Sequence, residues 1–221
     1  IGTPGRLKDV ADRKALKLQY FNNVVLDEAD RMLDMGFIKP ITELLKQTKS
    51  PRQTLFFSAT LPDPIKQLIK QFLNNPVTIN INSGKTADNV DQDIVRFKEN
   101  SLKFEALKGV LAKADCRKVL IFSETKRDVE KLTNDLNHCR FRAASIHGDK
   151  RQHQRQKALT LFRDDRINIL VATDVAARGL DIKDISHVIN YTVPQTYDDY
   201  IHRIGRTGRG SKKGMALTFV K

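Results

Sequence analysis

Apolar and polar positions follow one another along this chain in short blocks of two kinds. Val24-Val25-Leu26 is a β-branched apolar run that predicts a buried strand. A helix follows around Ile41-Thr42-Glu43-Leu44-Leu45, with Pro40 tolerable in its first turn. Thr54-Leu55-Phe56-Phe57 predicts a second buried strand, and Ile65, Leu68, Ile69 and Phe72 form the i, i+3, i+4, i+7 stripe of an amphipathic helix. Val77-Thr78-Ile79-Asn80-Ile81 predicts another short strand. Residues 83–92 then lose periodicity and carry turn chemistry, which marks a linker.

Beyond the linker the alternation is complete. Phe104, Leu107, Val110 and Leu111 line a helix, and Val119-Leu120-Ile121-Phe122 forms a strand. Thr125 and Asp128 have the spacing of a capping box that opens a helix burying Val129, Leu132 and Leu136. The strand Ala143-Ala144-Ser145-Ile146 leads to His147-Gly148, then to a polar helix carrying Leu159 and Phe162. Residues 168–172 and 187–191 are strands; Tyr197, Tyr200, Ile201 and Ile204 line a helix; Ala216-Leu217-Thr218-Phe219-Val220 closes the sheet. Strands alternating with helices imply an α/β fold with parallel sheets and right-handed crossovers. The expected organisation is a domain over 1–83, a linker at 84–92 and a second domain over 93–221.

Composition narrows the class without changing that picture. The 221 residues are 40% hydrophobic and 29% charged, the balance of a globular chain. No apolar run approaches the length of a membrane span. Cys116 and Cys139 lack metal-ligand spacing and read as free thiols of a reducing compartment, so a cytoplasmic location is expected. Lys and Arg exceed Asp and Glu by 39 − 26 = 13, which favours a polyanionic partner. Both halves share the excess, +4 over residues 1–83 and +9 over 84–221, although mixed-charge helices account for much of it.

Chemistry concentrates in a few blocks. Asp27-Glu28-Ala29-Asp30 follows the first strand, where open α/β sheets bind ligands, and two neighbouring carboxylates suit a phosphate-bound Mg²⁺ that keeps several waters. Gly84-Lys85-Thr86 imitates the end of a phosphate-binding loop. That loop needs glycine five positions before Gly84, where this chain has Ile79, and it must open a helix. The linker reading therefore stands.

Four blocks in order, Asp27-Glu28-Ala29-Asp30, Ser58-Ala59-Thr60, the stretch Ala172-Thr173-Asp174 to Arg178-Gly179-Leu180-Asp181, and His202-Arg203-Ile204-Gly205-Arg206-Thr207-Gly208-Arg209, resemble the DEAD-box RNA helicases of superfamily 2 over the whole chain. The resemblance implies two RecA-like parallel-sheet domains in tandem, the first truncated at its N-terminus, with ATP and Mg²⁺ as cofactors and RNA as partner. It implies that Asp27 holds Mg²⁺ through water and that Glu28 activates the attacking water. Asp30, Ser58, Thr60 and His202 would couple that chemistry to domain closure. Arg206 and Arg209 would act as arginine fingers on the γ-phosphate, with Gly179 and Asp181 at the ATP ribose. RNA contacts would come from Thr3, Gly5, Arg6, Thr125, Arg155, Thr173 and Asp174, mainly to backbone and ribose and hence sequence-tolerant. The family's phosphate-binding loop and adenine-reading motif lie upstream of Thr3-Pro4-Gly5-Arg6, so the chain by itself is expected not to hydrolyse ATP. Arg31-Met32-Leu33-Asp34-Met35-Gly36-Phe37 looks bacterial, of the RhlE-like branch. An RNA-binding module without catalysis and a DNA helicase of the wider superfamily are the alternative readings.

Overall fold

A computed structural model describes residues 1–80, 89–177, 182–208 and 212–221. The chain divides into two compact units, Ile1–Asn80 and Ile81–Lys221.

In the first unit, strands β1 (Asn23–Leu26) and β2 (Gln53–Phe56) pair in parallel with Leu26 opposite Phe56. Helices α1 (Pro4–Asp12), α2 (Ala29–Asp34), α3 (Ile38–Gln47) and α4 (Asp63–Phe72) accompany them. α1 was not anticipated, although Pro4 at its first position is pre-set for a helix and removes an N–H that would lack a partner. Leu26, Ile41, Leu45, Ile65 and Leu68 form one small core, so the stripes read in α3 and α4 face it. The two strands are not buried on both faces as expected. Val25 is 56% exposed and Leu55 41% exposed, because among the described residues helices cover only the face of Val24, Leu26 and Phe56.

The strand expected at Val77 is also absent: residues 77–80 are irregular, with Val77 and Ile79 exposed, and Ile81 lies outside the described residues. A strand is stabilised by a hydrogen-bonded neighbour, and none flanks this segment among the described residues.

The second unit is a six-stranded parallel sheet in the order β3-β8-β7-β4-β6-β5. Its strands are β3 (Val90–Arg96), β4 (Val119–Phe122), β5 (Ala143–Ile146), β6 (Ile169–Ala172), β7 (His187–Asn190) and β8 (Gly214–Val220). Helices α5 (Asn100–Leu111), α6 (Lys126–His138), α7 (Gln152–Arg163), α8 (Asp174–Ala177) and α9 (Tyr197–Ile204) connect them. Side chains alternate between two cores. Val119, Ile121, Val171 and Ile189 meet Leu107, Val129 and Leu136 on one face, while Leu120, Phe122, Leu170 and Val188 meet Leu159 and Phe162 on the other. Both faces are covered, which is why β4, β6 and β7 read as unbroken apolar runs.

β3 corrects the linker boundary, because it begins at Val90 inside the 84–92 segment; residues 84–88 lie outside the described residues. It escaped notice because it is an edge strand, paired among the described residues only with β8 and largely exposed, so Asp91, Gln92 and Asp93 break any apolar pattern.

Candidate functional site

The sequence-selected acids lie where the strands end. Asp27 and Glu28 follow Leu26 at the carboxyl end of β1, and Ser58 and Thr60 follow β2 beside it. Glu28 turns the chain sharply into α2 with φ 53° and ψ 49°, a left-handed conformation that costs a residue with a side chain roughly 1–2 kcal/mol. Contacts around it offset that cost. The Ala29 N–H donates to the Phe57 carbonyl at 3.0 Å, and the Asp30 N–H donates to Ser58 Oγ at 3.2 Å. Asp30 is buried and its Oδ2 accepts from both the N–H (2.8 Å) and the hydroxyl (3.0 Å) of Thr60, while Oδ1 accepts from the Arg31 N–H at 3.0 Å. Ser58 Oγ in turn donates to the Thr60 carbonyl at 2.6 Å. Asp30, Ser58 and Thr60 thus form one closed network. Asp27 remains exposed, with Oδ1 accepting the Glu28 N–H at 3.0 Å. An exposed carboxylate on a fixed turn is a hard oxygen donor suited to a hydrated Mg²⁺.

Thr3 precedes α1 as its N-cap residue without a side-chain cap, and Gly5 is exposed in the first turn. Arg6 donates to Asp9 Oδ2 at 2.7 Å on the surface. An exposed pair of this kind is worth little, so the guanidinium can exchange Asp9 for another anion at small cost.

In the second unit the selected residues again gather at the carboxyl ends of strands. Thr125 follows β4 and caps α6, accepting the Asp128 N–H at 3.1 Å and donating to Asp128 Oδ2 at 2.6 Å, the capping contact the spacing predicted. Thr173 and Asp174 follow β6. The Asp174 carboxylate is held from two sides by Arg203, whose Nε and Nη2 donate to Oδ1 and Oδ2, both at 2.7 Å. Arg203 is 4% exposed; its Nη1 reaches the Thr192 carbonyl at 2.7 Å and Asn190 Oδ1 at 3.3 Å, and its guanidinium lies 5.1 Å from the centre of the Phe122 ring. One side chain therefore ties α9 to the ends of β4, β6 and β7.

Arg206 sits in the turn after α9, half-buried, its N–H donating to the Arg203 carbonyl at 3.1 Å. Two glycines and a threonine shape that turn. Thr207 is buried and its hydroxyl donates to the Ile185 carbonyl at 2.5 Å. Gly208 has φ +65°, and a Cβ there would lie 2.5 Å from Val90 Cγ2; one on Gly214 would lie 2.1 Å from Thr207 Oγ1. Neither position admits a larger residue without moving β3 or the turn. His202 is partly buried on α9. Gly179, Asp181 and Arg209 lie outside the described residues.

A further cluster at the end of β5 was not anticipated. Glu130 Oε1 accepts from Ser145 Oγ at 2.7 Å, Lys150 Nζ at 2.6 Å and His147 Nε2 at 2.6 Å. His147 is buried, and its Nδ1, like Nε of Arg155, is buried without a hydrogen-bond partner among the described residues. Ser145 and His147 are two apart and so leave β5 on the same side; that period was the available signal. Glu130 sits on a helix 15 residues away and gave none.

Residues 1–68 match the DEAD/DEAH box helicases and residues 102–211 the helicase conserved C-terminal domain. The ATP-dependent RNA helicase CshA of Listeria monocytogenes is 46% identical over 222 residues, covering all of this chain and 42% of that protein. The chain belongs to the DEAD-box helicase family.

Solved DEAD-box structures agree with the fold. S. cerevisiae Dbp5 bound to RNA and ADP BeF3 matches with TM-score 0.86 and 33% identity, over all of this chain and 58% of that one. A DEAD box protein from the hyperthermophile Methanococcus jannaschii matches with TM-score 0.58 and 41% identity, over all of this chain and 59% of that one. Both parallel-sheet units are accordingly RecA-like. The chain spans less than half the length of the curated relatives it matches, 42% to 47%.

The Glu130 cluster of this DEAD-box chain makes a pH-dependent prediction. Burial acts to raise the Glu130 carboxyl, but the Lys150, His147 and Ser145 donors outweigh it and bring the pKa from 4.5 down to about 2. A carboxylate whose pKa falls on folding stabilises the fold fully above its unfolded pKa. That stabilisation disappears as pH drops from about 4.5 through about 2. Glu130→Gln should therefore lower the urea midpoint near neutrality, and its deficit should shrink progressively below pH 4.5. A deficit independent of pH would assign Glu130 a packing role only.

Proposed function

We propose that this chain forms part of an ATP-dependent RNA helicase that couples ATP hydrolysis to local separation of RNA strands or to remodelling of RNA–protein complexes. The observation that carries the reading is the first-unit network. Asp30 is locked to Ser58 and Thr60 while Asp27 and Glu28 are presented at the strand end. Glu28 orients and activates the attacking water, and Asp27 would hold Mg²⁺ through its water shell. The ion, when bound with ATP, neutralises charge on the phosphates. Asp30, Ser58 and Thr60 keep the Glu28 turn in place and, with His202, relay nucleotide state to the RNA-binding surface. Arg206 and Arg209 stabilise γ-phosphate charge, and Gly179 and Asp181 bind the ribose. The cytoplasm is the proposed location; no helix among the described residues is long and apolar enough to cross a membrane. The Arg31 to Phe37 stretch supports placement in the bacterial RhlE-like branch.

RNA is the proposed partner, held along its backbone by Thr3, Gly5, Arg6, Thr125, Arg155 and Thr173. Among the described residues the buried Nε of Arg155 has no hydrogen-bond partner, which favours this reading, since such a donor gains most from an added acceptor such as phosphate. Asp174 contributes indirectly, because Arg203 already engages both of its oxygens and a carboxylate repels phosphate.

The test is titration of the chain with two unrelated single-stranded RNAs at several salt concentrations, alongside an ATPase assay. The two affinities should be similar and should fall by on the order of 0.7 log units per released counterion for each log unit of salt. RNA-stimulated hydrolysis by the chain alone should match the buffer blank, since Gly84-Lys85-Thr86 lacks the required upstream glycine. Strong base preference or salt-independent binding would exclude the backbone surface. Hydrolysis abolished by Glu28→Gln would show that the chain needs no separate phosphate-binding loop.

A further inference from the structure

The second unit carries a group of potential ligands at the amino ends of its central strands, opposite the residues discussed above. Cys116 lies in the loop between α5 and β4, and His187 opens β7. β4 and β7 are direct neighbours with Val119 opposite His187, so the residues just before β4 come beside the start of β7. Asp115 Oδ2 is 3.9 Å from His187 Nε2. The Cys116 sulfur, a His187 ring nitrogen and an Asp115 oxygen all lie within 4.8 Å of one another. Cys116 and His187 are each 6% exposed, whereas the Asp115 side chain is 67% exposed.

The hydrogen bonds fix which imidazole nitrogen faces the group. Ser186 Oγ has one proton, which it donates to the Lys118 carbonyl at 3.0 Å, and it also accepts the Lys118 N–H at 3.0 Å. Its 3.1 Å contact with His187 Nδ1 must then be donated by the imidazole. Nδ1 carries the proton, and the lone pair of Nε2 points toward Asp115. An outer donor contact that sets the tautomer and leaves the other nitrogen for an ion is a recurrent arrangement of histidine ligands.

We propose that Cys116, His187 and Asp115 bind one Zn²⁺ ion, with water in the fourth position. Thiolate, imidazole and carboxylate together suit zinc, whose tetrahedral sites place ligand atoms about 3.5 Å apart at bond lengths of roughly 2.0–2.3 Å. The three atoms must draw in from their present separations, and the exposed Asp115 side chain leaves the fourth position open to water. Cys116 Sγ now donates to the Val110 carbonyl at 3.2 Å; on binding, a sulfur–zinc bond replaces the S–H bond and the proton leaves to solvent. The ion clips the α5–β4 loop to β7. Each strand here has four residues, so the site stands roughly 13 Å from the carboxyl ends that carry Thr125 and Thr173. Its effect is therefore on the stability of the unit, independent of the proposed RNA contacts.

Co²⁺ added to the metal-free chain tests this, because cobalt bound to thiolate gives an intense near-ultraviolet charge-transfer band. One equivalent should produce the band, and Zn²⁺ should abolish it and raise the melting temperature. Cys116→Ala should eliminate both effects, and Cys139→Ala should leave both intact. Asp115→Asn, at an exposed position that folding tolerates, should weaken Co²⁺ affinity at least about tenfold. His187→Gln should do so more severely. A chain without the band, a band lost with Cys139 instead of Cys116, or unchanged affinity in both Asp115→Asn and His187→Gln would overturn the proposal.

Discussion

Arg206→Ala is expected to reduce RNA-stimulated ATP hydrolysis by about 10³–10⁵ in a protein that joins this chain to an ATP-gripping loop, the range arginine fingers contribute in phosphoryl transfer. The melting temperature should stay near that of the parent. Thr207, Gly208 and Gly214 anchor the turn that carries Arg206. RNA binding without nucleotide should persist, because Arg155, Thr125 and Thr173 are untouched. Lysine should restore little, since a point charge lacks the guanidinium fork that matches phosphate oxygens. ATPase rate and melting temperature measured together decide the matter. Full turnover in Arg206→Ala, or turnover lost only in step with unfolding, would remove the finger assignment.

Arg203, three residues earlier and within α9, should behave in the opposite way. It is buried and makes paired hydrogen bonds to Asp174, and removing one partner of a buried ion pair costs about 3–5 kcal/mol. Arg203→Ala should show that loss in urea unfolding of the second unit. The loss exceeds the worth of the pair itself, because Asp174, Asn190 and the Thr192 carbonyl lose a shared donor. Asp174→Ala in the Arg203→Ala background should then cost little more, and a double-mutant cycle measures the coupling. Additive losses would show that the two side chains stabilise the fold separately. Two arginines of one helical block are thus separated by assay, one through turnover and the other through stability.

The second unit was legible because its sheet is covered on both faces. Burial on both sides forces unbroken apolar runs, and β4 and β5 span the residues the pattern indicated. The same rule misled in the first unit. Val24-Val25-Leu26 reads identically whether Val25 is buried or, as here, open to solvent. Edge strand β3 was lost for the converse reason, since one hydrogen-bonded neighbour and two wet faces place no apolar demand on Asp91, Gln92 or Asp93. The proposed site residues were read as contiguous blocks: Asp27 to Asp30, Ser58 to Thr60, and His202 to Arg206. Residues that act across a distance stayed hidden. Glu130 reaches Ser145 and His147 from another helix, and Cys116 meets His187 only through strand register. Those meetings follow from sheet order, and linear spacing does not contain it.

Sheet order also has a consequence for synthesis. β8 lies between β3 and β7, so among the described residues β3 acquires its strand neighbour from β8, the last strand described. Until residues 214–220 have left the ribosome, β3 has no ladder to join and β7 presents an open edge beside an apolar core. Pairing across so long a stretch of chain is slow, and unpaired edges invite association with other nascent chains. The second unit therefore completes its sheet only after β8 has been translated.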